Sequence, residues 1–213
     1  MLDAVAGFIL AGGESRRMGT EKARLVLDGQ SFVERIVREL SSVTSSIKVV
    51  GDKVSPAEIK LHVNPPIDIQ AAPDIYPQWG ALGGVHAALS ACSDSWALVV
   101  ACDFPFVTGE LFAKLASLCE DFEAVAPIQL DGIPQPLCSL YRVEPCLRVA
   151  ERLIKSGERK PITLLQSVRT RWVLFNELSH LKGADCFFDN INTPEDYVRV
   201  KKKGLGIDDV AMG

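Results

Sequence analysis

Glycines and cations crowd the end of the first apolar run of the chain, in the stretch GFILAGGESRRMGTEKARLVLDG. Gly12 and Gly13 follow Leu10 and Ala11, and three cations come within nine residues of Gly13: Arg16, Arg17 and Lys22. Glycines let backbone N–H groups approach phosphate oxygens, and arginine and lysine bind phosphate through their charge. Neither the P-loop spacing nor the G-x-G-x-x-G spacing is present. We nevertheless expect an anion-binding loop here, in preference to a turn that carries solvated cations.

A carboxylate stands at the end of a second apolar run, in WALVVACD. Asp103 closes this run, and the carboxyl end of a buried strand is where open α/β sheets bind their ligands. Mg²⁺ in proteins takes one or two carboxylates and completes its coordination with water and substrate phosphates. Asp103 is therefore a candidate Mg²⁺ ligand. The alternative is a turn aspartate before Pro105, which the cationic loop disfavours.

Two further stretches carry residues suited to ligand contact. In PDIYPQWGALGGVHAAL, Asp74 precedes glycines that open a predicted helix, and Gly83 would let a ligand approach the helix N-terminus closely. In FFDNINTPEDY, Asn190 and Asn192 alternate with an isoleucine, so both amides face one side of an extended chain. Paired amides suit a polar ligand. We expect His86 to be structural.

Short apolar runs alternate with amphipathic stretches, which predicts a mostly parallel, three-layer α/β/α sandwich. Ser31 and Glu34 predict a capping box at the start of the first helix. The Asp-Gly turn in QLDGIPQPLCSLYR predicts a hairpin insertion or an antiparallel edge. Predicted strands span residues 4–10, 45–51, 68–74, 96–103, 123–128 and 169–175. Predicted helices span residues 31–43, 83–91, 108–119, 145–156 and 161–168, with a terminal helix that begins after Thr193.

Composition limits the classes of function. The formal net charge is -4 over 213 residues, which argues against a general nucleic-acid binder. The six cysteines form no C-x-x-C pair, so a zinc site or a disulfide framework is not expected. No apolar run approaches the ~18 residues of a membrane span. We expect a cytoplasmic protein with one domain over residues 1–203 and a tail over residues 204–213.

The sequence resembles the molybdenum cofactor guanylyltransferases, within the wider nucleoside-triphosphate transferase superfamily. LAGGESRRMGTEK is similar to the family signature L-A-G-G-x-S-x-R-M-G-x-x-K, and ALGGVHAAL, ACDFPFV, PQPLCSLYR and NINTPEDY follow in the family's order. The resemblance extends to about residue 200. It implies a Rossmann-like sandwich with a small antiparallel addition. Gly12, where related cytidylyl enzymes more often carry alanine, points to guanylyl transfer.

The resemblance also implies roles for individual residues. Arg17 and Lys22 would be catalytic phosphate contacts, and Asp103 would hold Mg²⁺ and contact the nucleotide. Asn190 and Asn192 would serve the second substrate, molybdopterin. The GTP contacts would be Leu10, Ala11, Gly12, Gly13, Lys22, Asp74, Gly83 and Asp103. The chain departs from the family at Val50-Gly51-Asp52, where an asparagine is frequent, and at GALGG, where the family often has GPLGG.

The activity implied is transfer of GMP from Mg-bound GTP to the terminal phosphate of molybdopterin, with release of pyrophosphate. Proteins that deliver or receive the cofactor are candidate partners, whereas nucleic acid and membranes are not expected. The alternatives are cytidylyl or other nucleotidyl transfer to a different phosphorylated acceptor, and a non-catalytic nucleotide-binding protein on the same scaffold.

Overall fold

A seven-stranded sheet organises the computed structural model, which describes residues 5–12, 25–60, 66–77, 79–189, 191 and 195–198. Its strand order is β5-β4-β1-β6-β8-β7-β9, and β2 pairs with β3 in a separate hairpin. The strands are β1 Val5–Leu10, β2 Val26–Leu27, β3 Gln30–Ser31, β4 Ser46–Val50, β5 Ile69–Ala72, β6 Trp96–Ala101, β7 Ala124–Pro127, β8 Cys138–Arg142 and β9 Thr170–Val173. The helices are α1 Phe32–Leu40, α2 Gly80–Ala91, α3 Gly109–Ala116, α4 Val143–Lys155, α5 Pro161–Ser167 and α6 Phe175–Leu178.

Most neighbouring strands of the large sheet run in parallel. β1 pairs in parallel with β4 and β6, β4 with β5, and β7 with β9. β8 is antiparallel to both β6 and β7. Of the two alternatives predicted for residues 129–142, the hairpin is confirmed, because β7 and β8 are consecutive antiparallel strands, whereas the antiparallel edge is wrong. β8 lies inside the sheet, and four of its five residues are buried, as is usual for a strand with covered faces and a paired backbone on both sides.

Helices cover both faces of this sheet and bury two separate cores. Successive residues of β1 alternate between them, since Phe8 lies in one core and Ile9 in the other. α1 and α3 pack with Ile9, whereas α2, α4 and α5 pack with Phe8. The three-layer α/β/α architecture expected from the sequence is thus confirmed.

The start of α1 follows the predicted capping box. The Ser31 hydroxyl accepts a hydrogen bond from the Glu34 backbone N–H at 3.2 Å, and the Glu34 carboxylate accepts one from the Ser31 N–H at 2.8 Å. These bonds satisfy two donors that a helix start otherwise leaves free. They also hold the pKa of Glu34 below its ordinary value, against the effect of burial. The helix therefore begins where the sequence predicts, directly beside the hairpin.

Two local features differ from the sequence-based expectation. α2 begins at Gly80, three residues before the predicted start at Gly83. Gly83 and Gly84 are therefore inside the helix, where close packing requires them. The β2–β3 hairpin was not predicted, although its turn residues Asp28 (φ 51°) and Gly29 (φ 79°) form the Asp-Gly pair that two-residue hairpins favour.

The end of the chain is described only in part. Residues 195–198 are helical, in agreement with the predicted terminal helix. The predicted domain boundary at residue 203 and the tail over residues 204–213 lie outside the described residues. No helix in the described ranges is long and apolar enough to cross a membrane.

Candidate active site

The carboxyl ends of three parallel strands converge at one edge of the sheet. Leu10 at the end of β1 lies in register with Val50 of β4 on one side and with Ala101 of β6 on the other. Backbone hydrogen bonds continue beyond the strands, from Ala11 N to Val50 O at 3.0 Å and from Cys102 N to Leu10 O at 3.1 Å. The chain segments that follow β1 and β6 therefore leave the sheet side by side.

Gly12 and Asp103 occupy these two departing segments. Gly12 is exposed directly after Ala11, and Asp103 is half-buried directly after Cys102. The glycine that was expected to admit a phosphate and the carboxylate that was expected to bind a metal thus follow neighbouring strands. Leu10 and Ala11 are buried beside them. This arrangement brings together four of the site residues that the sequence suggested.

Gly51, which the sequence did not suggest as a site residue, packs against Gly12. Its φ is +105°, and a Cβ atom at position 51 would lie 2.9 Å from Gly12 N and 3.0 Å from Gly12 Cα. A side chain there would displace the backbone of Gly12. The sequence offered one signal for this role, a glycine directly after an apolar run. The reason for the glycine, close packing against Gly12, is visible only in the structure. Asp52, the next residue, is exposed.

Residues 102–108, called the Asp103 segment below, contact several neighbouring parts of the chain. Phe104 is buried, and its ring meets the Phe188 ring edge-on at a centroid distance of 6.2 Å. The backbone N–H of Ile191 donates to the Asp103 carbonyl at 3.4 Å. Ile191, which separates the two asparagines that were expected to bind the second substrate, therefore lies beside the proposed metal ligand.

Ile191 also reaches the β2–β3 hairpin. It forms a small buried cluster with Leu27 and Phe32, against which Phe106 and Tyr197 pack. The Leu25 carbonyl accepts a hydrogen bond from Phe32 N at 2.9 Å, which joins the hairpin to the start of α1. The described residues before and after positions 13–24 therefore both lie near the Asp103 segment. Leu10 accepts a hydrogen bond from Cys102, and Leu25 packs on the same cluster as Phe106.

Asp74 lies beyond the end of β5, at the same edge of the sheet. Its carboxylate accepts a hydrogen bond from Tyr76 N at 3.1 Å, and Tyr76 O accepts one from Trp79 N at 3.0 Å. The Trp79 indole N–H donates to Glu158 O at 2.8 Å, and the Arg159 guanidinium lies 4.8 Å from the indole centroid. This loop between β5 and α2 is therefore tied to the segment between α4 and α5.

The glycine pair of α2 allows two close approaches. A Cβ atom at Gly83 would lie 3.0 Å from Trp79 Cβ and 3.2 Å from Tyr76 O, so Gly83 admits the loop before the helix. A Cβ atom at Gly84 would lie 3.2 Å from a methyl group of Leu10. Both glycines are thus explained by packing. The nucleotide contact of Gly83 stays a prediction.

His86 packs behind the same loop. It is 3 % exposed, and its ring meets the Tyr76 ring edge-on at a centroid distance of 4.9 Å. Its Nε2 atom has no hydrogen-bond partner and lies 4.0 Å from a carboxylate oxygen of Glu151. Burial lowers the pKa of His86, while Glu151 and Asp74 partly oppose that effect. The ring is therefore neutral at pH 7, as a packing residue requires.

Several predicted site residues lie outside the described residues: Gly13, Arg17, Lys22, Asn190 and Asn192. Their roles stay predictions. Within the described residues no group of three or more His, Cys, Asp or Glu side chains is placed to hold a metal. A single half-buried carboxylate such as Asp103 matches the way Mg²⁺ binds when substrate phosphates supply further oxygen ligands.

The buried cysteines are not suited to nucleophilic chemistry. Burial raises the pKa of Cys92 to about 11 and that of Cys146 to about 12, and it raises the pKa of Cys138 further. The reactive thiolate form is therefore scarce at neutral pH at these three positions.

Comparison with known proteins decides the family. Residues 7–171 match the MobA-like NTP transferase domain. The chain belongs to this family. The protein is accordingly a nucleotidyltransferase.

Its relatives carry the name that the sequence resemblance suggested. A probable molybdenum cofactor guanylyltransferase of Pelotomaculum thermopropionicum is 33 % identical, over 94 % of this chain and 93 % of the relative. A molybdenum cofactor guanylyltransferase of Desulfosudis oleivorans is 32 % identical, over 92 % of this chain and 93 % of the relative. The resemblance stated from the sequence is thereby confirmed.

Solved structures agree on the fold. The molybdopterin-guanine dinucleotide biosynthesis protein A of Archaeoglobus fulgidus superposes with a TM-score of 0.75 at 25 % identity, over 94 % of this chain and 99 % of that chain. A 2-C-methyl-D-erythritol 4-phosphate cytidylyltransferase of Thermus thermophilus superposes with a TM-score of 0.63 at 16 % identity, over 96 % and 100 %. The second likeness concerns the fold alone.

Proposed function

We propose that the protein transfers GMP from Mg-bound GTP to the terminal phosphate of molybdopterin, which yields a guanine dinucleotide cofactor and pyrophosphate. The observation that carries the proposal is the placement of Gly12 and Asp103 on segments that leave neighbouring strands side by side, with Ile191 against Asp103. The names of relatives that are about one third identical over nearly the whole chain supply the substrates.

The reaction is a displacement at phosphorus. A terminal phosphate oxygen of molybdopterin attacks the α-phosphorus of GTP, a new P–O bond forms, and the bond to the bridging oxygen of the β-phosphate breaks. Pyrophosphate leaves with that oxygen. Both substrates are anions, so the protein must bring repelling groups together and stabilise the charge that develops on the phosphoryl oxygens.

The proposed roles rest on the family resemblance and, for Gly12 and Asp103, on their positions after neighbouring strands. The backbone of Leu10, Ala11, Gly12 and Gly13 borders the triphosphate, and Asp74 and Gly83 border the nucleoside. Asp103 would hold Mg²⁺, which neutralises phosphate charge and polarises the phosphorus when bound. Arg17 and Lys22 contribute positive charge to the phosphates, and Asn190 and Asn192 hold the acceptor through their amides. The bond from Ile191 N to Asp103 O supports the proximity of acceptor and metal ligand.

Two substitutions test these roles. Asp103→Asn removes the carboxylate charge with little change of shape, and Lys22→Met removes the cation. Each should lower the rate of pyrophosphate release from GTP and molybdopterin by on the order of a hundredfold or more, because each removes a preorganised charge. The measurement is a coupled pyrophosphate assay under saturating substrates.

The matched control is Asp121→Asn, an exposed aspartate that precedes β7 at the opposite edge of the sheet. Its rate should remain within about twofold of the unmodified protein, as is usual for surface changes distant from a site. Near-normal turnover in both Asp103→Asn and Lys22→Met would remove the roles assigned to these residues.

A further inference from the structure

Arg35 of α1 bridges two segments that flank the proposed site. Its guanidinium Nε donates to the carbonyl of Pro105 at 3.3 Å, and its Nη1 donates to the carbonyl of Leu27 at 3.5 Å. Nη1 also lies 3.4 Å from a carboxylate oxygen of Asp28. The side chain is only 18 % exposed, whereas that of Asp28 is 54 % exposed. Arg35 is thus a largely buried cation whose partners are mainly backbone carbonyls.

Of the two segments that Arg35 joins, one carries the proposed metal ligand Asp103 and the other is the β2–β3 hairpin. Pro105 lies two residues after Asp103, and Leu27 lies in the hairpin that follows residues 13–24, which include Arg17 and Lys22. A planar guanidinium donates from several nitrogens in a fixed geometry, and it stays charged at every pH that the protein tolerates. Arg35 therefore provides a charged link between the two segments, beside the apolar packing of Phe106 on the cluster that contains Leu27.

Other contacts also hold the Asp103 segment, among them the bond from Ile191 N to Asp103 O and the ring contact between Phe104 and Phe188. Cys102 N donates to Leu10 O at 3.1 Å at the start of the segment. Gly109 N donates to the Glu39 carboxylate of α1 at 2.9 Å at its end. Between them, Phe106 packs on the Leu27–Phe32–Ile191 cluster, and Arg35 supplies the polar contact to Pro105.

From this geometry we infer that Arg35 is a positioning residue, which holds the Asp103 segment at a fixed distance from the β2–β3 hairpin and so fixes the position of the proposed metal ligand. The inference rests on the proposed function, because that function assigns Asp103 to the metal. Arg35 itself touches neither substrate in this role. Its effect reaches the reaction through Asp103.

The test compares Arg35→Gln and Arg35→Lys with Arg38→Gln. Arg38 is the matched control because it lies one turn further along α1 and bonds the hairpin side chain Gln30 at 2.6 Å, yet it has no contact with Pro105 in the described structure. The measured quantities are kcat, the Mg²⁺ concentration for half-maximal rate, the Tm, and amide hydrogen exchange of peptides that cover residues 102–108.

Arg35→Gln should raise the Mg²⁺ concentration for half-maximal rate and lower kcat, each by about tenfold. The reason is the loss of a charge-assisted hydrogen bond to Pro105, two residues from the proposed metal ligand Asp103. Exchange should accelerate in residues 102–108 and not in the distant helices α4 and α5. Arg35→Lys should restore part of the rate, because an ammonium can reach one carbonyl but cannot reproduce the fork. Arg38→Gln should match the unmodified protein in all four readouts.

Three results would overturn the inference: an unchanged Mg²⁺ requirement in Arg35→Gln, unchanged exchange in residues 102–108, or a rate loss that follows the fall in folded fraction alone. Failure of the proposed function is recognised separately, because the unmodified protein would then release no pyrophosphate from GTP and molybdopterin. The exchange measurement would still decide in that case whether Arg35 holds the segment.

Discussion

The presence of glycine at two positions near strand ends is explained by backbone conformation and by the space around each residue. Gly51 combines a positive φ of +105° with a Cβ position that would meet the Gly12 backbone at 2.9 Å. Gly132, in the turn between β7 and β8, also has a positive φ of +85°, but nothing lies within 4 Å of its Cβ position. The two glycines therefore share a positive φ, but only Gly51 lacks room for a side chain.

This difference permits a clean test with Gly51→Ala and Gly132→Ala. Both variants should lose about 1–2 kcal/mol of unfolding free energy, because an alanine at positive φ is strained. Gly51→Ala should lose more than Gly132→Ala, because its methyl group also meets the Gly12 backbone. Gly51→Ala should also weaken GTP binding by about tenfold or more, since the Gly12 backbone must move away from the triphosphate. Denaturant unfolding and calorimetric titration with Mg-GTP are the measurements. Equal GTP affinities in the two variants would contradict the assigned contact between Gly51 and the loop.

Among the helices and strands, the sequence predicted those features that depend on a few neighbouring residues. The apolar runs predicted the strands of the large sheet, and the Ser31–Glu34 pair predicted the start of α1, because each is encoded within a few residues. The interior place of β8 could not be predicted in this way, since it depends on pairing with β6 and β7. The start of α2 was misplaced because Gly83 has a packing partner, Trp79, that only the folded chain reveals.

His86 of α2 packs against Tyr76 of the preceding loop, and its burial predicts how protein stability depends on pH. Burial lowers the pKa of His86 in the folded protein, with Glu151 and Asp74 opposing. As pH falls below the ordinary histidine value of 6.5, the unfolded chain binds a proton that folded His86 does not. The free energy of unfolding should therefore fall with decreasing pH, by at most about 1.4 kcal/mol per pH unit from this residue.

His86→Leu should remove this contribution. The comparison uses urea unfolding at pH 7.5 and pH 5.5 for the unmodified protein, His86→Leu and the control His180→Leu, whose histidine is exposed. The difference in unfolding free energy between the two pH values should shrink in His86→Leu and persist in His180→Leu. If His86→Leu kept the full difference, another group would have to carry the acid sensitivity.

At the scale of the whole molecule, the sheet collects groups from distant parts of the chain at one edge. Gly12 follows β1, Asp74 follows β5 and Asp103 follows β6, and all three strands are parallel. The carboxyl ends of parallel strands meet at the same edge, so the sequence could predict this gathering from the alternation of strands and helices. It could not predict that Gly51 and Arg35 support the site, because both act through contacts with segments that are distant in sequence.

The most direct test of the proposed function is identification of the product. The protein is incubated with Mg²⁺, molybdopterin and GTP, CTP, UTP or ATP in separate reactions, and the pterin products are separated and weighed by mass spectrometry alongside a pyrophosphate assay. We predict a guanine dinucleotide product and one pyrophosphate for each product formed with GTP, and loss of both when EDTA removes the metal. A cytosine dinucleotide product with CTP, or tight GTP binding without any dinucleotide product, would contradict the proposed function.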